Sequence, residues 1–152
     1  MPTKSSYPPD VDVFLAVAPS SIRKLFQPIY SYLIKTKKCS VQIRGDYATI
    51  SGKNGIVAAI YPYKTEIDIV LAMPFDKDDK QMFDAVDKNY KWRNLPTGIT
   101  ISSPSSAKRA LLRVKVAEKL VASGVTQEQD GEAFSRPKAA FQPAFKKSLR
   151  FR

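Results

Sequence analysis

Two carboxylates, Glu66 and Asp68, stand two residues apart with Lys64 just ahead of them. On a strand that spacing puts both acids on one face, where a carboxylate pair can hold Mg²⁺ for phosphodiester cleavage. Ile67 and Ile69 would then take the opposite face, and the order and spacing match no nuclease signature. The plainer expectation is that Glu66 and Asp68 form the solvated side of an amphipathic strand. A second acidic group, Asp76, Asp78 and Asp79, begins like a calcium loop. It has Lys80, Gln81 and Asp87 where such a loop needs Asp or Asn, Gly and Glu, so helix capping accounts for it better. Cys39 follows Lys37 and Lys38, whose charge would favour its thiolate; an inert structural thiol is the simpler expectation. The chain has no histidine, which removes His bases, His triads and His metal ligands. With one cysteine and no histidine, no zinc site can be assembled within one chain. Arg44-Gly45-Asp46 reads as a hairpin turn, and Gly45, Gly52 and Gly55 fall in hairpins rather than between a strand and a helix, where a phosphate-cradling loop would need them. No catalytic residue, metal ligand or cofactor is assigned.

Binding chemistry is better represented. Tyr90, Lys91, Trp92 and Arg93 set the only tryptophan between two cations, a grouping suited to base stacking or to an interface anchor. A tryptophan plugging the core beneath snorkelling cations is the competing account. A helix over Ala107 to Ala122 carries Lys108, Arg109, Arg113, Lys115 and Lys119 with Glu118 as its one acid. At about 100° per residue, Lys108, Lys115 and Lys119 share one line with Arg109 and Arg113 beside it, while Ala107, Leu111, Val114, Ala117 and Val121 take the core side. Such a stripe is either a phosphate-contacting surface or a plain solvated face. From Phe134 to Arg152 there are six cations and no acid, with Lys146, Lys147, Arg150 and Arg152 interleaved among phenylalanines. Basic-aromatic segments of this kind grip nucleic acid, anionic membrane or an acidic protein groove.

The elements that must position these residues follow from periodicity. At 152 residues and 43% hydrophobic composition the chain suits one domain with its own core. Asp10 is placed to cap a short helix to Val17, and Ser20 or Ser21 a longer one. In the longer helix Ile22, Leu25, Phe26, Ile29, Tyr30, Leu33 and Ile34 recur at three and four, with a kink or break at Pro28. Period-two segments follow at 40–44, 47–51, 56–61 and 66–73, separated by short turns, as in an antiparallel meander. Residues 76–89 are expected to make one or two helical turns, and Gly98 to Ser102 a last strand. The last helix is capped from Ser103-Pro104-Ser105-Ser106 and closed by Gly124. The sequence thus predicts an α+β fold: an antiparallel sheet of about five strands, helices on one face, a flexible lead-in over 1–9, a single domain over 10–124 and a disordered basic tail over 125–152.

The stretch from Phe14 to Val121 resembles the bacterial family catalogued as domain of unknown function 5655, and more distantly the YdhG-like proteins. The features that carry the resemblance are Phe14 and Pro19 before the long helix, Ala58-Ala59-Ile60-Tyr61-Pro62 within the strand run, Lys91-Trp92-Arg93, the strand Ile99-Thr100-Ile101-Ser102 and the closing helix. The resemblance implies a curved sheet with helices on one side and no established activity. Twenty-five Lys and Arg against fourteen Asp and Glu give a net charge of +11, which favours polyanionic partners. The expected role is a cytoplasmic, non-enzymatic module that contacts nucleic acid without sequence specificity, or else an acidic protein partner. A small enzyme built on Glu66, Asp68 and Lys64 is the third possibility. No apolar run approaches the length of a membrane-spanning helix.

Overall fold

Alternating hydrophobicity from residue 40 onward builds a six-stranded antiparallel sheet in the computed structural model, which describes residues 7–85 and 94–125. The strands are β1 (Ser40–Ile43), β2 (Ala48–Gly52), β3 (Gly55–Pro62), β4 (Ile67–Leu71), β5 (Phe83–Asp84) and β6 (Thr97–Ile101), in the spatial order β1-β2-β3-β4-β6-β5. The first four form the expected meander. Arg44-Gly45-Asp46 makes the β1–β2 turn, with Gly45 at φ 99° and Arg44 N–H donating to Tyr47 O at 2.7 Å. Gly52 pairs with Gly55 across a two-residue tip, Lys53-Asn54, and a bulge between Ile50 and Ser51 admits Val57 as an extra residue in β3. The expectation of helical turns over 76–89 is not met over 76–85, and residues 86–89 lie outside the described residues. As far as Ala85 these residues instead form turns and β5, a sixth strand too short to show a period in the sequence.

Helix α1 (Pro9–Leu15) starts at Pro9 behind Pro8, and Asp10 lies in its first turn rather than at its cap. Helix α2 (Ser20–Tyr30) likewise starts behind Pro19 and not behind a serine side chain. Proline lacks the N–H that would be orphaned at a helix start and its fixed φ suits entry to a helix, so proline replaces the side-chain caps expected here. Pro28 lies inside α2, where it removes one backbone donor. The chain then runs on as a π-helical turn over Ser31–Thr36, so the expected kink takes the form of a change of pitch. Of the lead-in, Tyr7 to Pro9 are described and are structural. The Tyr7 ring is buried, edge-on to Tyr30 at 5.1 Å, and its hydroxyl donates to Arg23 O at 2.6 Å.

Helix α3 (Pro104–Ala122) is the best specified element. Ser103 and Ser106 form a reciprocal capping box at its start. At its end Gly124 has φ 80°, Gly124 N–H donates to Val121 O and Val125 N–H to Leu120 O, both at 2.9 Å, the paired bonds of a Schellman closure. Its core line is Ala110, Val114, Ala117 and Val121; Ala107 and Leu111, expected on that side, are half-buried flanks. Two alanines in the line let the helix lie close to the sheet.

Cross-strand register puts Ile50, Ala58, Ile60, Ile67, Ile69, Leu71, Ile99 and Ile101 on one sheet face. Against this aliphatic face α2, the π-helical turn and α3 bury Phe26, Ile29, Leu33, Val114 and Ala117, since an apolar helix stripe must be covered by an apolar layer. The second face carries Thr49, Ala59, Tyr61, Asp68, Val70 and Gly98, all buried as well. There Phe83 lies across Gly98, where a Cβ would overlap the ring. Among the described residues no helix is long and apolar enough to cross a membrane.

Substitutions on α3 and on the second sheet face test this packing. Val114→Asp should place an unpaired charge in the core and unfold the domain, at a cost of several kcal/mol, whereas Leu111→Asp, on the flank, should be clearly milder. Thermal melts of the two variants decide the facing of α3. Gly98→Ala should cost about 1–3 kcal/mol by displacing Phe83. Adding Phe83→Leu should recover part of that loss; a Gly98→Ala melt unchanged from the parent would show that the ring does not rest on this glycine.

Candidate polyanion-binding surface

The five cations of α3 do not form one equivalent stripe. Lys108 and Lys119 are exposed, while Arg109, Arg113 and Lys115 are half-buried. Arg113 is committed to a partner: its Nη2 meets Asp79 Oδ2 at 2.5 Å, with both side chains 20% exposed, and its Nη1 donates to Arg109 O at 3.3 Å. The guanidinium holds the Asp79 carboxyl below its ordinary range. The acids expected as helix caps instead close turns. Asp76 accepts from the Asp78 N–H at 2.9 Å and Asp79 from the Gln81 N–H at 3.0 Å. Arg109 is aimed by a 2.6 Å bond from its Nη1 to Ser105 Oγ.

On the opposite flank the cations gather around an aromatic ring from the π-helical turn. Lys37 and Lys115 place their ammonium groups 5.8 Å and 5.6 Å from the centroid of Tyr32, within cation–π range. The Tyr32 hydroxyl donates to Glu118 Oε1 at 3.2 Å, and Lys37 Nζ lies 3.9 Å from the same oxygen. Glu118, the only acid of α3, is 8% exposed, so it is drawn inward under this cluster. What remains outward on the helix is Lys108, Leu112, Val116 and Lys119, with Leu112 61% and Val116 44% exposed. A small cavity of about 190 Å³ opens beside Glu118 between Lys37, Lys53 and Asn54. Asn54, at the β2–β3 tip, donates from Nδ2 to Ala122 O at 3.0 Å and so ties the hairpin to the end of α3.

Cys39 also lines this region. Burial pushes its thiol up, Glu118 adds to the effect, and Lys37 only partly opposes it. These surroundings favour the neutral thiol over the thiolate that Lys37 and Lys38 would promote. Tyr90, Lys91, Trp92 and Arg93, and the tail cations Lys146, Lys147, Arg150 and Arg152, lie outside the described residues.

The larger correction concerns Asp68. It is not on a solvated face: it is fully buried at 0% exposure, and Thr100 Oγ1 donates to its Oδ1 at 2.5 Å. Burial pushes its carboxyl up to about 7, against the hydroxyls of Thr100 and Tyr63, with the Glu66 charge adding to the rise. Glu66 is half-exposed just before the strand and Lys64 is exposed, so of the three only Asp68 is buried, and among the described residues no group of three or more His, Cys, Asp or Glu could hold a metal ion. Nothing in the 66–69 pattern distinguishes a strand with one wet face from one buried on both. Compared with known proteins, the chain matches no family model, no curated protein and no solved structure.

Asp68 makes stability depend on pH in a definite direction. An unfolded Asp ionises near 4, whereas the buried one holds its proton to about 7. Its protonated form therefore leaves stability intact below pH 4, and stability falls as pH rises from 4 through 7. The loss amounts to a few kcal/mol, since each tenfold difference in proton affinity between the folded and unfolded chain is worth about 1.4 kcal/mol. Asp79, shifted the other way, acts only on the acid side. Wild-type Tm should drop between pH 5 and pH 8, and Asp68→Asn should flatten that drop and melt higher than wild type at pH 8. A wild-type Tm flat over this window would rule out a carboxyl held neutral by burial.

Proposed function

We propose that this chain is a non-enzymatic binding module for a polyanion, nucleic acid foremost, and that it engages phosphates through the outer surface of α3. The supporting observation is the sorting of charge on that helix: five cations, and a single acid, Glu118, that is buried beneath them. Lys108 and Lys119 are the exposed contacts, Arg109, Lys115 and Lys37 reinforce them, and Arg113 is excluded by its pair with Asp79. A net charge of +11 steers any polyanion toward the surface. The tail cations Lys146, Lys147, Arg150 and Arg152 belong to the same proposal on composition. Binding of this kind is sequence-independent, since phosphate contacts carry no base information. A cytoplasmic location belongs to the proposal too, since a reducing compartment suits a lone buried thiol. Membership of the family catalogued as domain of unknown function 5655 is a further part of it and brings no activity of its own.

A second reading rests on a different observation. Leu112 and Val116 stand exposed between Lys108 and Lys119, and an apolar centre with a cationic rim suits an acidic protein partner better than a phosphate backbone.

Fluorescence anisotropy with a labelled DNA duplex at two salt concentrations separates the two. The full chain should bind duplexes of any sequence, with log affinity falling against log salt by about 0.9 for each phosphate neutralised. Lys108→Glu combined with Lys119→Glu should keep the wild-type Tm and flatten the slope by about two units. Absence of binding at low salt eliminates nucleic acid and leaves the acidic protein, whose docking Leu112→Asp should then abolish.

A further inference from the structure

At the free edge of β6 a cavity of about 460 Å³ lies between that strand, the first turns of α3 and the loop leading into β5. This volume falls within the range of small-molecule sites. Lys80, Arg109, Ser102 and Thr100 contribute to its polar wall and Phe83 and Ile99 to its apolar wall, and among the described residues no carboxylate lines it. Asp79, on the same loop, is turned to Arg113.

The backbone adds to this wall. Ala85 N–H donates to Pro96 O, and Phe83 pairs with Gly98. In an antiparallel ladder such bonded pairs recur every second residue, so Pro96, Gly98 and Thr100 direct their peptide groups toward the β5 edge. The β5 ladder ends at Gly98, which leaves the Thr100 N–H and C=O facing the cavity while its side chain goes to Asp68. At the N-terminus of α3 the Ser106 N–H is already taken by the Ser103 hydroxyl.

We infer that this cavity is a binding site for a phosphate monoester. Two cations and no acid match a group of charge near −2 with three acceptor oxygens, whereas a carboxylate would leave one cation unmatched. Arg109 meets the phosphate with its planar fork, held in place by Ser105 Oγ at 2.6 Å. Lys80 supplies the second charge, and the Thr100 N–H and Ser102 hydroxyl supply neutral donors. Phe83 and Ile99 take the apolar part of the ligand. Two sources offer this chemistry, a free mononucleotide or the 5′-phosphate of a nucleic acid end. The site shares Arg109 with the surface proposed along α3 but uses neither of its exposed contacts, Lys108 and Lys119, so the Lys108 and Lys119 variants and the Lys80 variant distinguish failure of one from failure of the other.

Calorimetric titration of the full chain with adenosine 5′-monophosphate, and anisotropy with 5′-phosphorylated and 5′-hydroxyl forms of one labelled oligonucleotide, test the inference. Lys80→Gln and Arg109→Gln should each weaken monoester binding about tenfold or more, as expected for loss of a charged hydrogen bond, with wild-type Tm. Lys108→Gln with Lys119→Gln should leave it unchanged. A preference for the 5′-phosphorylated oligonucleotide that disappears in Arg109→Gln identifies the nucleic acid end as the source; discrimination confined to the mononucleotide identifies the free ligand. Either failure of the folded wild type to bind any monoester at millimolar concentration, or binding that survives the Lys80→Gln, Arg109→Gln double variant, overturns the site.

Discussion

Burial of the central strands on both faces is the constraint on which the rest of this structure depends. Every residue of β4, from Ile67 to Leu71, is buried, and so are residues 57–62 of β3. A strand with two dry faces has no place for a hydrated side chain, so the one acid within β4 must be accommodated without water. Asp68 meets this by facing Thr100 across a non-hydrogen-bonded pair, the closer kind of antiparallel pairing, and by holding its proton up to about pH 7. The same constraint sends hydrated charge elsewhere: to α3, to the Lys37 cluster and to the β6 edge, where the ladder stops short.

On α3 charge is sorted a second time. Tertiary partners reached from far along the chain decide which cation is available. Asp79 takes Arg113 across 34 residues, and the Tyr32 hydroxyl reaches Glu118 across 86. The first contact subtracts a cation from the surface, and the second draws the helix's only acid inward. Arg113 and Lys115 are two residues apart in sequence and lie on opposite flanks of the helix, so one is paired with Asp79 and the other lies over the Tyr32 ring.

Much of the fold was legible because local rules agreed with the global result. The four-strand meander, the turns at Gly45 and Asn54, and the closure of α3 at Gly124 all follow from residue type and period. The misreadings have one cause, the long-range context that period cannot carry. Ile67-Asp68-Ile69 alternates like a half-solvated strand, and only the burial of the second sheet face takes Asp68 out of water. Leu111 fits a helical stripe as well as Ala110 does, but the close approach of helix and sheet selects the smaller residue for the centre line. Asp76 and Asp79 look like helix caps because capping and Asx turns use the same side-chain oxygen and differ only in what the backbone does next. The lone pairing of Phe83 with Gly98 in so short a strand left no periodic trace.

The tie between Asn54 and Ala122 spans 68 residues, and its consequence lies in time rather than in space. Two-residue hairpins such as β2–β3 close within about 1–10 μs. The helix that covers them lies far downstream, and long-range closure dominates the folding rate of such topologies. During synthesis from the N-terminus, β1 to β4 are complete well before α3 has been made. For that interval the aliphatic face of the meander has α2 beside it but lacks α3, and exposed strands of this kind are open to pairing with other chains. The aliphatic face thus depends for part of its cover on a helix made after all of its strands, and slowing elongation between β4 and α3 would lengthen the period in which that part is open.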